Sequence, residues 1–146
     1  MNLDDNGLEV LDVATCRTLL AKTRLGRVAL SRQALPIIVP VVYTLVDQYI
    51  LIPAASTLVR RAAHAGDVIC FEADSHDDND ALWSVLVTGP LAVASPNAAG
   101  PPTDAWTDAA DGDLVSLDTF RISGRRTTPA GGGLPLGRSE RARRRT

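Results

Sequence analysis

The stretch Trp83-Ser84-Val85-Leu86-Val87-Thr88-Gly89 decides how this chain is read, because it closes a series of short β-rich runs separated by turn residues. Upstream lie LGRVAL at 25–30, LPIIVPVVY at 35–43, YILI at 49–52 and VICFE at 68–72. Runs this short, joined by turns and one helix, predict a small antiparallel barrel, and such barrels hold ligands at their rims or dimer seams. The chemistry is then expected to belong to a bound cofactor rather than to a catalytic triad.

The punctuation supports this order. Asp12 is placed to cap a helix with Val13, Cys16, Leu19 and Leu20 on one face, a lid for a sheet. Residues 31–34 and Asp47-Gln48 read as turns, and Pro36 and Pro40 deny the 35–43 run a full hydrogen-bond ladder. That run is expected at an edge or with a bulge, a feature common beside ligand sites. Ser56 caps a predicted helix over 57–65, and Gly66 stands where a left-handed C-terminal residue is wanted. A polar loop is expected over 74–80, a strand from Trp83 to about Ala94, and a last strand over 114–122. The boundaries that follow are an acidic leader at 1–11, a barrel domain at 12–126 and a disordered Arg-rich tail at 127–146.

Length and charge limit the alternatives. The chain has 146 residues, enough for one core, and with only 4% aromatics that core is filled by small aliphatics. Residues 127–146 hold five arginines against Glu140, a net of +4, which leaves −6 on residues 1–126. An acidic body does not favour a nucleic-acid surface. Cys16 and Cys70 are far apart, in apolar settings, without a secretory signal, and read as thiols of a reducing, cytoplasmic compartment. Asp47, Pro53 and Arg60 interrupt the longest apolar stretch before the ~18 residues of a membrane helix.

The strings at 25–28, 39–43, 68–74 and 83–89, with Ile122-Ser123-Gly124-Arg125-Arg126, resemble the pyridoxamine 5′-phosphate oxidase-like family of split-barrel flavoproteins over about residues 12–126. The resemblance implies a mainly β chain with α+β character, a six-stranded antiparallel split β-barrel with small flanking helices. It also implies a homodimer with FMN, or the deazaflavin F420, at the dimer seam. One departure stands out. FMN-holding members carry an Arg-Thr pair after the third strand and a Lys near the next helix, whereas this chain reads Ile52-Pro53-Ala54-Ala55-Ser56-Thr57-Leu58.

Nine residues are the cofactor candidates. Ser56 and Thr57 open a helix with free N–H groups and the positive end of its dipole, and Arg60 and Arg61 follow within one turn. The competing reading is a capped amphipathic helix with solvated arginines. The resemblance sets Val41, Val42 and Tyr43 alongside the isoalloxazine ring and Trp83 with Ser84 near the cofactor; the plain alternative for each is core. Asp74, His76, Asp77, Asp78 and Asp80 lack the Gly and Glu of a calcium loop, and neither histidine has a companion at zinc spacing, so no metal is assigned. Hydrolase motifs are missing and no catalytic side chain is named. Two functions follow: an FMN- or F420-dependent oxidoreductase, or a degenerate split-barrel module that binds or senses another ligand, such as haem, without flavin.

Overall fold

In the computed structural model, residues 1–53, 55–94 and 114–128 are described; of the expected 127–146 tail only Thr127, bonded to Leu82, and Thr128 are among them, and the rest of it and the 95–113 connection lie outside the described residues. Among the described residues nine strands and two helices follow the chain order β1 (Glu9–Val10), α1 (Val13–Leu20), β2 (Leu25–Arg32), β3 (Leu35–Val42), β4 (Thr44–Val46), β5 (Tyr49–Ile52), α2 (Thr57–Ala65), β6 (Val68–His76), β7 (Leu82–Val93), β8 (Val115–Asp118) and β9 (Ile122–Arg126). The strands form one antiparallel sheet in the order β3-β2-β6-β7-β8-β5-β4, with β9 on β7 and β1 on β9. β3 and β4 stand at the two ends of this order yet are joined by Tyr43 alone, so the sheet curls into a half-barrel.

The split barrel is the expected one, with more strands than six. The extra ones are short: β1 has two residues and β4 three. Two boundaries moved. The acidic run does not loop out at Asp74, because β6 stays paired with β7 as far as His76 opposite Leu82. The expected 114–122 strand breaks into β8 and β9 at Thr119, which is buried and held on Gln48 by its N–H and its hydroxyl, at 2.9 and 2.7 Å.

Local chemistry explains the elements. Asp12 accepts the N–H of Thr15 at 2.7 Å and Ser56 that of Val59 at 3.4 Å, and Gly66 closes α2 at φ 66°. β3 is a sheet edge, where its two prolines cost no ladder. The β2–β3 turn places Gln33 and Ala34 at φ 50° and 64°, as a two-residue hairpin turn with both central residues left-handed requires. The core fills from alternating strand positions, Val28, Phe71, Val85 and Val87 among them, and from the inner faces of α1 and α2.

Gly26 is where β2 meets the tightest packing. A Cβ there would fall on the ring of Phe71, which is fully buried and stacked edge-on against Tyr43, and 3.1 Å from the Glu72 carbonyl oxygen. Gly26→Ala is therefore expected to destabilise the fold by about 1–3 kcal/mol, the usual cost of overpacking. Urea denaturation checks this, and an unchanged midpoint would show that the ring can move aside.

Candidate functional site

Strand register gathers part of the candidate set at one end of the sheet. Val42 lies opposite Leu25, and Ser84 lies between Asp74 on β6 and Arg125 on β9. Arg27 ties the strands together, donating from Nη1 to Glu72 at 2.8 Å and to Asp74 at 3.2 Å, and Ser84 Oγ donates to the other Glu72 oxygen at 3.3 Å. These charges hold the Arg27 guanidinium more firmly protonated than usual, the hydrogen bond to Glu72 contributing most. Beside this network a cavity of about 430 Å³ opens, lined chiefly by Leu8, Glu72, Trp83, Ser84, Arg125 and Arg126. Trp83 is 4% exposed and forms part of the wall.

The other candidates lie elsewhere. Strand alternation turns Val41 and Tyr43 inward and Val42 outward, at 7%, 1% and 53% exposure. The Tyr43 hydroxyl donates to the Leu20 carbonyl at 2.7 Å and pairs with Thr23, so its polar end is engaged inside. Burial pushes its phenol pKa up, against the Thr23 hydrogen bond. Ser56, Thr57, Arg60 and Arg61 are outside the cavity lining. On α2, Arg60 Nη2 donates to Thr57 Oγ1 at 3.5 Å and Arg61 is exposed. The candidates thus fall into three groups: the start of α2, the sheet end carrying Val42, Trp83 and Ser84, and Val41 with Tyr43 in the core.

Arg125 and Arg126 are cavity residues that sequence reasoning quoted only as a motif. Their partners come from the leader. Asp4 accepts from Arg125 Nε at 3.0 Å, and Glu9, opposite Arg126 in the β1–β9 ladder, accepts from its Nε at 2.8 Å and its Nη2 at 3.2 Å. The available signal was charge: residues 1–11 carry Asp4, Asp5 and Glu9 and no Lys or Arg. The Arg126 hydrogen bonds hold the Glu9 carboxyl below its ordinary pKa, and the Leu8 amide is the largest cause of the same shift at Asp4. Among the described residues no cluster of three metal-ligating side chains occurs, and no helix is long and apolar enough to cross a membrane.

Comparison with known proteins places this geometry. The family model described as pyridoxamine 5′-phosphate oxidase matches residues 12–118, and the chain belongs to that family. It is 41% identical over 85 residues to the uncharacterized protein Rv0080 of Mycobacterium tuberculosis, covering 54% of this chain and 56% of that protein, so the match spans about half the relative's length. Among solved structures it resembles the FAD-binding protein of Mycobacterium smegmatis, with a TM-score of 0.64 at 24% identity over 83% of this chain and 99% of that one. A FAD-binding protein of Mesorhizobium loti gives a TM-score of 0.64 at 21% identity, with the same coverage. These two likenesses establish the fold.

The leader contacts carry a pH signature. A carboxyl whose pKa is lower folded than unfolded adds stability above the unfolded value and loses it as the pH falls through the folded one. Wild-type protein is expected to lose stability on acidification below about pH 4, the ordinary carboxylate range. Asp4→Asn with Glu9→Gln should lose less over the same interval, leaving Asp12, lowered chiefly by its hydrogen bond from the Thr15 amide, to supply part of the remainder. Melting curves between pH 7 and pH 3 measure the difference, and identical acid limbs would disprove the assignment.

Proposed function

We propose that the protein is a flavin-dependent oxidoreductase of the split-barrel type, acting in the cytoplasm as a homodimer with the cofactor held along the seam. The observation that carries this reading is the outer sheet face beside the Trp83 cavity. Leu25, Ile38, Val42 and Leu86 are there 42–68% exposed, apolar side chains around the Arg27–Glu72–Asp74 ion pairs that a lone subunit leaves open to water. A second copy packed on that face would cover it and the Pro-marked edge of β3 together. Family membership and the FAD-binding M. smegmatis and M. loti relatives support a flavin, with FMN as the first candidate and FAD and F420 beside it.

The donors present suit an anionic cofactor. Ser56 caps α2 and leaves the N–H groups of Thr57 and Leu58 without partners inside the helix, and Arg60 and Arg61 add cations one turn later. Pro53 cannot donate, so the phosphate would be met by this helix start. Val41, Val42 and Tyr43 would offer backbone groups to the ring, with Trp83 and Ser84 closing the other side. A bound flavin supplies hydride transfer, and the chain's share is binding, orientation and exclusion of water. The absence of a cation from Ile52 through Thr57 favours a second reading, a split-barrel module that binds or senses a different ligand without flavin.

Reconstitution separates the two. Purified protein titrated with FMN, FAD and F420 is expected to bind at least one, seen as fluorescence quenching and a shifted visible band. Charge-assisted hydrogen bonds contribute about 1.5–3 kcal/mol each, so Arg60→Ala with Arg61→Ala should weaken that binding roughly tenfold to several hundredfold. Light scattering at micromolar concentration is expected to give a dimer. A monomer that binds none of the three would move the assignment to the flavin-free module.

A further inference from the structure

Phe120 is 86% exposed, yet the turn that carries it is fixed on both sides. Thr119, fully buried, gives its N–H and its hydroxyl to the Gln48 carbonyl at 2.9 and 2.7 Å, and the same hydroxyl accepts from Arg17 Nε at 3.2 Å. On the other side the Arg121 carbonyl accepts the Thr88 N–H at 3.0 Å. A single exposed apolar side chain is ordinary on a protein surface. One held out by an anchored turn differs, because the chain itself already fixes the backbone that a contact would otherwise have to order.

The ring stands beside a hollow of about 420 Å³ whose other walls include Val68, Thr88, Pro90, Asp118 and Arg121. Strand register sets this hollow on the outer sheet face. Val68 lies opposite Pro90 and Cys70 opposite Thr88 across β6 and β7, while Cys70 is next to Ala29 on β2 and Ala29 next to Ile38 on β3. Val68, at 69% exposure, thus continues the exposed side chains of Ile38 and Leu86 to the rim where Phe120 projects. The charges at that rim are of opposite sign. Asp118 and Arg121 flank the ring in sequence; both are exposed, Asp118 accepts from Gln48 Nε2 at 3.1 Å, and Arg121 has no ion pair among the described residues. A patch that carries an aromatic, a hollow, a cation and an anion is complementary to its own copy, since a two-fold rotation sets each ring over the other hollow and each guanidinium against the other carboxylate.

We propose that Phe120 is the anchor of the subunit seam: the two-fold axis of the homodimer runs past this hollow, each Phe120 ring enters the hollow of the partner, and Arg121 pairs with the partner's Asp118. The inference rests on the homodimer of the proposed function and is independent of which cofactor that dimer holds. Aromatic anchors seated in a pocket supply most of an interface's free energy, while the contacts around them keep water out. Leu25, Ile38, Val42 and Leu86 take that surrounding part. The two charge pairs restrict the seam to a second copy in this one orientation, because any other rotation brings a charge against an apolar wall.

Sedimentation of the full chain from nanomolar to micromolar concentration reads the dimer dissociation constant. Phe120→Asp is expected to raise it about thirtyfold or more, with an unchanged far-UV spectrum because the side chain lies outside the core. Arg121→Asp should raise it about tenfold, by facing a carboxylate with a carboxylate. Combining that change with Asp118→Arg should return the constant to within about threefold of wild type, since the exchanged charges oppose each other again across the axis. A purely local role of either residue in the turn gives no such rescue. A wild-type dimer that Phe120→Asp leaves intact overturns the anchor and leaves the homodimer standing. Disruption by Arg121→Asp without rescue by the exchange overturns the two-fold arrangement. A wild-type chain that stays monomeric at micromolar concentration overturns homodimer and anchor together, and gives the hollow to a different protein.

Discussion

A single residue sets the curvature on which the rest of the structure depends. Tyr43 is the whole connection between β3 and β4, which stand at opposite ends of the strand order, so the sheet can satisfy its hydrogen bonds only by bringing its edges together. The side chain is fitted to that junction. Its hydroxyl holds the Leu20 carbonyl at the end of α1 and meets Thr23, and its ring packs edge-on against Phe71 at 5.0 Å between centroids. A buried hydroxyl with partners is worth far more than one without, because an unmade hydrogen bond costs the full desolvation penalty. Helix, sheet edge and inner core are thus referred to one side chain.

β7 organises what Tyr43 folds over. Its residues Leu82–Pro90 pair with β6 on one side, while Trp83–Val87 pair with β9 and Leu91–Val93 with β8 on the other. The strand alternates strictly, with Trp83, Val85 and Val87 inside and Leu82, Leu86 and Thr88 outside. A register slip of one residue would exchange these sets, so the fit of Val85 beside Gly124 also fixes the outer face. At Gly124 a Cβ would stand 2.7 Å from Cys16 Sγ, and the absence of one lets α1 lie close on β9. The cavity beside Ser84 and Arg125 follows from that register.

Much of this was legible locally. The β-branched runs, the caps at Asp12, Ser56 and Gly66, and the edge strand marked by Pro36 and Pro40 all follow from the chemistry of neighbouring residues. What escaped depends on distant partners. Residues 35–43 read as one run with nothing assigned to 44–46, and only the curled sheet shows that the chain changes edges at Tyr43 and goes on as β4. Ser123-Gly124-Arg125-Arg126 looks like a loop by composition and is a strand because β7 offers it a ladder. The candidate site divided in the same way. Trp83 and Ser84 were found as a string, whereas Arg125 and Arg126 joined them only through pairing, and Tyr43 turned inward by strand parity.

The arginines show why composition understates this chain. Fourteen of its fifteen cations are arginines, and a guanidinium can hold two carboxylate or phosphoryl oxygens at once where an ammonium offers a point charge. Arg27 spends that capacity on Glu72 and Asp74, both on β6, and so locks neighbouring strands. Arg125 and Arg126 spend it on a leader with no buried residue before Leu11. The geometry of the pairs is comparable, yet the cost of breaking them is not. Separating Arg27 from β6 disturbs a strand pair at the centre of the sheet, while separating Arg126 from Glu9 gives up a two-residue strand at its margin. Charge paired with the leader therefore lies at the margin of the sheet, and the charge that ties strand to strand lies within it.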